Sequence, residues 1–188
     1  MYDDGDWQID PLRTIVHLRA KAFGRAVDCK VDVRSGSATI VDGGSGGTVT
    51  ADIDLTTFRS NNDRRDDHVK SADFFDVAQH PLATFTASWQ DGLPTTLFAE
   101  LRVGEVTAPV TIDLTISAEA SDAVTFAGTT RLSRRAFGIT RSRLILADQV
   151  GVVVEGVASL ESRTRPSDAA YGDTERRPKR RVVHRSHD

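Results

Sequence analysis

The chain has 188 residues, 39% hydrophobic and only 6% aromatic, a length that suits one domain with or without a tail and a composition that excludes a core built on aromatic bulk. No apolar run is long enough for a transmembrane helix, the acidic start MYDDGDWQID lacks the apolar stretch of a secretory signal, and the single cysteine, Cys29, excludes an intrachain disulfide; a reducing, cytoplasmic setting is the expectation. The net charge of −3 conceals an uneven spread: residues 162–188 hold 8 Lys/Arg and 4 Asp/Glu, a net of +4, which leaves 16 and 23 for the first 161 residues, a net of −7.

Most of the chain alternates apolar and polar residues with the period of two that marks a half-buried strand. Val16, Leu18, Ala20 and Ala22 interleave with Ile15, His17, Arg19 and Lys21, and Val27, Cys29, Val31 and Val33 with Asp28, Lys30, Asp32 and Arg34. A glycine-rich break, Asp42-Gly-Gly-Ser-Gly-Gly47, has the composition of a hairpin loop. Val49, Ala51, Ile53 and Leu55 then resume the pattern.

Residues 61–85, NNDRRDDHVKSADFFDVAQHPLATF, interrupt it. Asn61 or Asn62 can cap a helix whose first turns hold Asp63, Asp66 and Asp67, where the dipole favours negative charge. Ser71 can cap a second short helix carrying Phe74, Phe75 and Val77, which Pro81 stops. This helical segment, around 62–78, would close one end of the fold, its charged side in water and its Phe pair turned inward.

Alternation returns with Phe85, Ala87 and Trp89, breaks at Asp91-Gly-Leu-Pro94, and continues through Leu97, Ala99, Leu101 and Val103, then Val110, Ile112, Leu114 and Ile116. Val124, Phe126, Gly128 and Leu132 share a further strand, and Val150, Val152, Val154, Ala158 and Leu160 end the body. About eight strands with one dry face and no long helices between them define an all-β, antiparallel protein, a barrel or a sandwich. The body runs over 6–161; residues 162–188 lack periodicity and bulky apolar residues, and are expected to be a disordered basic tail.

Few residues suggest chemistry. Gly43-Gly44-Ser45-Gly46-Gly47 satisfies G-x-S-x-G, but a strand follows where a nucleophile elbow needs a helix. Asp63, Asp66, Asp67 and His68 could converge on a metal, yet Arg64 and Arg65 interleave with them and supply balancing charge. Cys29 falls among apolar positions and reads as a buried thiol. Without a convincing acid–base pair, no enzyme is expected. The cluster ERRPKRRVVHR, 175–185, either solubilises the chain or touches an anionic surface, membrane or nucleic acid. If the strands close into a barrel, Ala20, Ala22, Ala51, Ala87, Ala99, Ala118, Gly128 and Ala158 point inward. Such small residues either leave a lumen for an apolar guest or accommodate tight coiling.

The stretch RDDHVKSADFFDVAQHPLATF, Arg65–Phe85, resembles the signature of the YceI-like polyisoprenoid-binding family, through Arg65, Asp66, His68, Ser71, Asp73, Phe74, Phe75, Asp76, Pro81 and Phe85. WQIDP at 7–11, GEVTAPVTIDL at 104–114, RRAFGI at 134–139 and VGVVVEGVASL near the end of the body support it. The chain departs from the pattern at Arg13-Thr14, Leu18, Ala22, Asp28, Lys30 and Ala136. The resemblance implies a lipocalin-like antiparallel barrel whose pore takes one extended polyprenyl or quinone-type lipid, bound or carried without catalysis and without any other cofactor. On that reading Leu18, Ala20, Phe58, Phe74, Phe75, Phe85, Ala87, Ala99, Phe126 and Phe137 contact the apolar chain, and Arg65, His68 and Arg134 meet a polar head group at the mouth. A homodimer is a further expectation. The competing reading is a stress-related interaction protein with a filled barrel, recruited by its basic tail.

Overall fold

The computed structural model describes residues 3–120, 122–141 and 146–161; the tail 162–188 lies outside the described residues. Nine strands form one antiparallel sheet: β1 (Gly5–Ile9), β2 (Ile15–Ala22), β3 (Arg25–Val41), β4 (Gly46–Arg59), β5 (Leu82–Trp89), β6 (Thr96–Val103), β7 (Val106–Ala120), β8 (Ala123–Ser133) and β9 (Gln149–Leu160). Each strand from β2 to β9 pairs with the next, and β9 returns to pair with both β1 and β2. The sheet is therefore a closed barrel, and closure leaves no unpaired edge to aggregate or to wet the interior.

Nine strands occupy eight positions because β1 and β2 lie end to end between β3 and β9. β1 pairs Trp7 with Leu160 and Ile9 with Ala158, whereas β2 begins at Ile15 opposite Glu155. Opposite the 10–14 link, Gly156 and Val157 have no ladder partner on this side, and the Asp10 amide bonds the Val157 carbonyl at 2.9 Å. β1 escapes the sequence pattern because five residues with two apolar positions are too short to show a period. The glycine-rich loop is a short 3₁₀ turn, Asp42–Gly44, closing the β3–β4 hairpin.

The interrupting segment divides differently from expectation. Asn62 caps the helix, its side chain accepting from the Arg65 amide, and the helix α1 spans Asp63–Lys70. Ser71 ends this helix and does not start another: its hydroxyl donates to the His68 carbonyl at 2.7 Å, and residues 71–79 follow as turns. In a second helix capped by Ser71 the Phe75 amide would donate to the Ser71 carbonyl; it donates to the Val69 carbonyl instead, and the Ser71 carbonyl accepts from Phe74 and Asp76.

Three clusters make the core. Cys29, Val31, Leu55, Phe58 and Ala83 pack beneath Val69, Phe75 and Val77 and close the α1 end. Trp7, Ile40, Val124 and Ala158 gather with Trp89 and Leu160 at the opposite end. Ala99, Ala108, Val110 and Phe137 form the third on the wall. At the Trp7 end Gly47 permits a close approach: a methyl group there would lie 2.6 Å from the Thr39 carbonyl oxygen and overlap the Trp89 ring. Gly47→Ala is therefore expected to cost about 1–3 kcal/mol by overpacking, read in thermal denaturation as roughly 2–4 °C per kcal/mol. An unchanged midpoint would show that the hairpin gives way freely.

The candidate ligand-binding lumen

The barrel interior holds a cavity of about 330 Å³, lined in part by residues of both end clusters. Its wall draws Val16 and Leu18 from β2, Val31 and Val33 from β3, Val49, Ala51, Ile53 and Leu55 from β4, and Phe85 from β5. Leu101, Ile112, Phe126 and Val154 continue it around the ring, and Leu93 and Pro94 reach in from the β5–β6 loop. Apart from Thr14, Thr130 and Arg134, the lining side chains are hydrophobic. The barrel is thus not packed solid.

Small residues are only part of what shapes it, although Ala38 and Ala83 also stand on its wall. Of those named as inward, only Ala51 and Ala158 border the cavity. A methyl group on Gly128 would lie 2.9 Å from both Ile112 and Val154, so its neighbours already fill that space. Ala87 and Ala99 face each other across β5 and β6 and pack with Phe137. The side chain of Ala118 lies outside the described residues. The hollow comes from the girth of an eight-position barrel lined by Val, Ile and Leu.

The predicted contacts separate accordingly. Leu18, Phe75, Phe85, Phe126 and Phe137 stand on the cavity wall. Ala20 does not, because the β2–β3 hairpin outruns β9, whose last rung with β2 is Arg19 to Gly151. Phe58 lies in the α1-end cluster, edge-on to Phe75 at 5.8 Å, and Ala87 and Ala99 belong to the wall cluster. Phe74 turns the other way from Phe75 and stacks edge-on against His68 at 5.0 Å.

The three proposed head-group contacts are engaged by the protein itself. Arg65 donates from Nε to Ser60 Oγ and from Nη2 to the Ser60 carbonyl, both at 2.7 Å. Buried Asp66 accepts from the amide (3.0 Å) and the hydroxyl of the same serine, so the two residues clasp α1 to the end of β4. No hydrogen bond joins Asp66 to His68. Arg134, only 5% exposed, starts a 3₁₀ turn, Arg134–Phe137, and donates to the carbonyls of Ile139, Arg141, Leu146 and Ala147 at 2.6–3.1 Å. Its stem borders the lumen while its guanidinium ties Ile139 and Arg141 to Leu146 and Ala147. Among the described residues no three His, Cys, Asp or Glu side chains are grouped to hold a metal ion.

Cys29 sits beneath α1, where burial pushes its thiol up to about 11, Arg65 pulling it down and Asp66 and Asp28 adding to the rise. A wider depression of about 1080 Å³ crosses the outer faces of β2, β3, β7, β8 and β9, among His17, Lys30, Arg131, Glu155 and the ion pair Arg19–Asp28. It is open to water and bordered by charge, so an apolar molecule gains far less there than in the lumen.

A closed antiparallel barrel with a greasy interior cavity defines a hollow, lipocalin-like protein. The chain belongs to the YceI-like family, whose model, described as a YceI-like domain, matches residues 7–158. It is 35% identical over 121 residues to a UPF0312 protein of Azotobacter vinelandii, covering 58% of this chain and 62% of that one. It is 34% identical over 76 residues to protein YceI of Escherichia coli O6:H1, covering 39% and 40%. The chain thus spans less than two thirds of these relatives' length. Two solved structures share the fold. BcnA of Burkholderia cenocepacia has a TM-score of 0.66 at 22% identity, covering 79% of this chain and 98% of its own. A polyisoprenoid binding domain of Saccharophagus degradans, implicated in plant cell wall breakdown, has a TM-score of 0.65 at 12% identity, covering 82% and 98%.

Two outcomes are expected. Arg134→Met, which strands several partly buried carbonyls, should lower stability by about 1–3 kcal/mol in urea denaturation; a loss no larger than that of a surface arginine would contradict the clamp. Cys29, with a thiolate fraction about a hundredfold below that of an unfolded thiol, should resist iodoacetamide at pH 8 until the chain is unfolded. Rapid alkylation of the native protein would show that the α1 end opens.

Proposed function

We propose that the barrel binds one long-chain apolar molecule, of polyisoprenoid or quinone-tail type, and carries or sequesters it without chemical change. The observation that supports this most is the apolar cavity of about 330 Å³. An unfilled, carbon-walled space forfeits dispersion contacts that a guest restores. The cavity matches the liquid volume of roughly eleven waters at about 30 Å³ each, and a methylene group is of comparable size. At about 0.8 kcal/mol per buried methylene the gross gain approaches ~9 kcal/mol. Several kcal/mol of that offset immobilisation, and micromolar binding needs no charged anchor. The Saccharophagus degradans relative, a polyisoprenoid binding domain, supports the choice of guest, and the unfilled lumen disfavours the filled-barrel alternative.

Native mass spectrometry of the protein after gentle desalting, followed by extraction into organic solvent, tests the proposal. A defined adduct that leaves with the solvent is expected. Leu18→Trp, which projects bulk into the cavity, should abolish the adduct while costing only about 1–3 kcal/mol of stability. A bare wild-type mass, or a Trp variant that carries the same load, contradicts carriage.

A further inference from the structure

The β2–β3 hairpin carries a bare apolar side chain from which the fold gains nothing. Its ribbon outruns both neighbours: β2 leaves β9 after Arg19, and β3 meets β4 only from Lys30 onward. Past those rungs it is held by the Ala147 amide, which donates to the Lys21 carbonyl at 2.9 Å, and by a bridge between Ala22 and Leu146. Ala22 pairs with Arg25, so Phe23 and Gly24 form the connecting loop, both with positive φ, 51° and 73°. Such a loop takes Asn-Gly readily, whereas a bulky residue in this region of backbone space is strained. Phe23 is 78% exposed and belongs to none of the core clusters, and a methyl group on Gly24 would meet no atom within 4 Å. Folding accounts neither for the ring nor for its place.

Charge supplies the rest. Residues 19–27 hold Arg19, Lys21 and Arg25 and no acidic side chain. Arg19 is ion-paired with Asp28, whereas among the described residues neither the Lys21 nor the Arg25 side chain has a partner. Cross-strand pairing puts Lys21 with Ala26 on one face of the ribbon and Arg25 with Ala22 on the other, so a cation flanks the apex on each side. An aromatic apex between two unpaired cations suits the boundary of an anionic bilayer. The ring enters the acyl edge while the cations stay among the phosphates. We propose that the β2–β3 tip docks the protein on an anionic lipid surface, Phe23 inserting and Lys21 and Arg25 holding head groups. This goes beyond the carrier reading, since it concerns where the chain meets a membrane, whatever the lumen holds.

Co-sedimentation of the full chain with vesicles of phosphatidylcholine and phosphatidylglycerol in equal parts, against phosphatidylcholine alone, tests the docking. The wild type should pellet with the mixed vesicles and stay in solution with the neutral ones. Phe23→Asn should weaken binding roughly tenfold, while its thermal midpoint holds or rises because Asn suits the loop. Lys21→Gln combined with Arg25→Gln should weaken it about thirtyfold. Phe23→Trp should still bind, its emission shifting to the blue on the mixed vesicles. If the wild type ignores the mixed vesicles, or if the Asn or the Gln variant pellets as it does and leaves the basic tail responsible, the docking is wrong and carriage stands. A midpoint that falls in Phe23→Asn would show that the ring packs on the protein, and overturns the assignment too.

Discussion

The double use of β9 is the constraint on which the rest of the molecule depends. One edge of this strand pairs with β8 over eleven rungs, from Ala123–Ser159 to Ser133–Gln149, and the other with β1 and β2 in succession. That second set of hydrogen bonds turns a sheet into a ring. Once the ring is shut, residues of one parity are largely withdrawn from water where the strands overlap, and backbone polar groups are consumed by the ladders. The apolar lumen is then a consequence of closure. Opening the β9 seam would expose two strand edges and a greasy interior together, so the seam is where the lumen and stability are coupled.

The ends and the middle of the tube are built to different rules. At the ends, large side chains meet: Trp7 and Trp89 at one, Phe58 and Phe75 under α1 at the other. The α1 end needs an element that is not a strand, because only a chain crossing the axis can cover the opening. Its cover is held by the Ser60 clasp and by Val69, Phe75 and Val77, since a helix of eight residues has little stability of its own. In the middle, Val, Ile and Leu side chains from opposing strands do not reach across. A ring of eight strand positions is near the size at which side chains can just fill the interior.

This architecture explains what could be read from the sequence. Strands β2 to β9 show their inward faces plainly, since alternation and closure say the same thing about Val49, Ala51, Ile53 and Leu55 or about Val110, Ile112, Leu114 and Ile116. The capped helix was equally legible, because Asn62 and the first-turn aspartates act locally. What could not be read depends on neighbours distant in the chain. Phe74 and Phe75 are adjacent and chemically identical, and only the turn geometry after Lys70 sends one inward. Ala20 has the right parity but lies beyond the reach of β9. Arg134 has the look of a head-group contact, because nothing local announces that the carbonyls of a loop a few residues later will surround it. Thr14 has no pattern at all. Thr130 was within reach, as the inward position between Gly128 and Leu132.

The disposition of charge narrows the chemistry this barrel can recognise. Arg65 and Asp66 are spent on Ser60, and the Arg134 guanidinium donates to four carbonyls. A guest bearing a charged group would have to draw one of them away. That breaks a partly buried set of hydrogen bonds at a cost of up to about 1–3 kcal/mol for each group left unpaired, before its own desolvation is counted. The wall therefore favours a guest whose charge, if it has one, stays in water outside the tube.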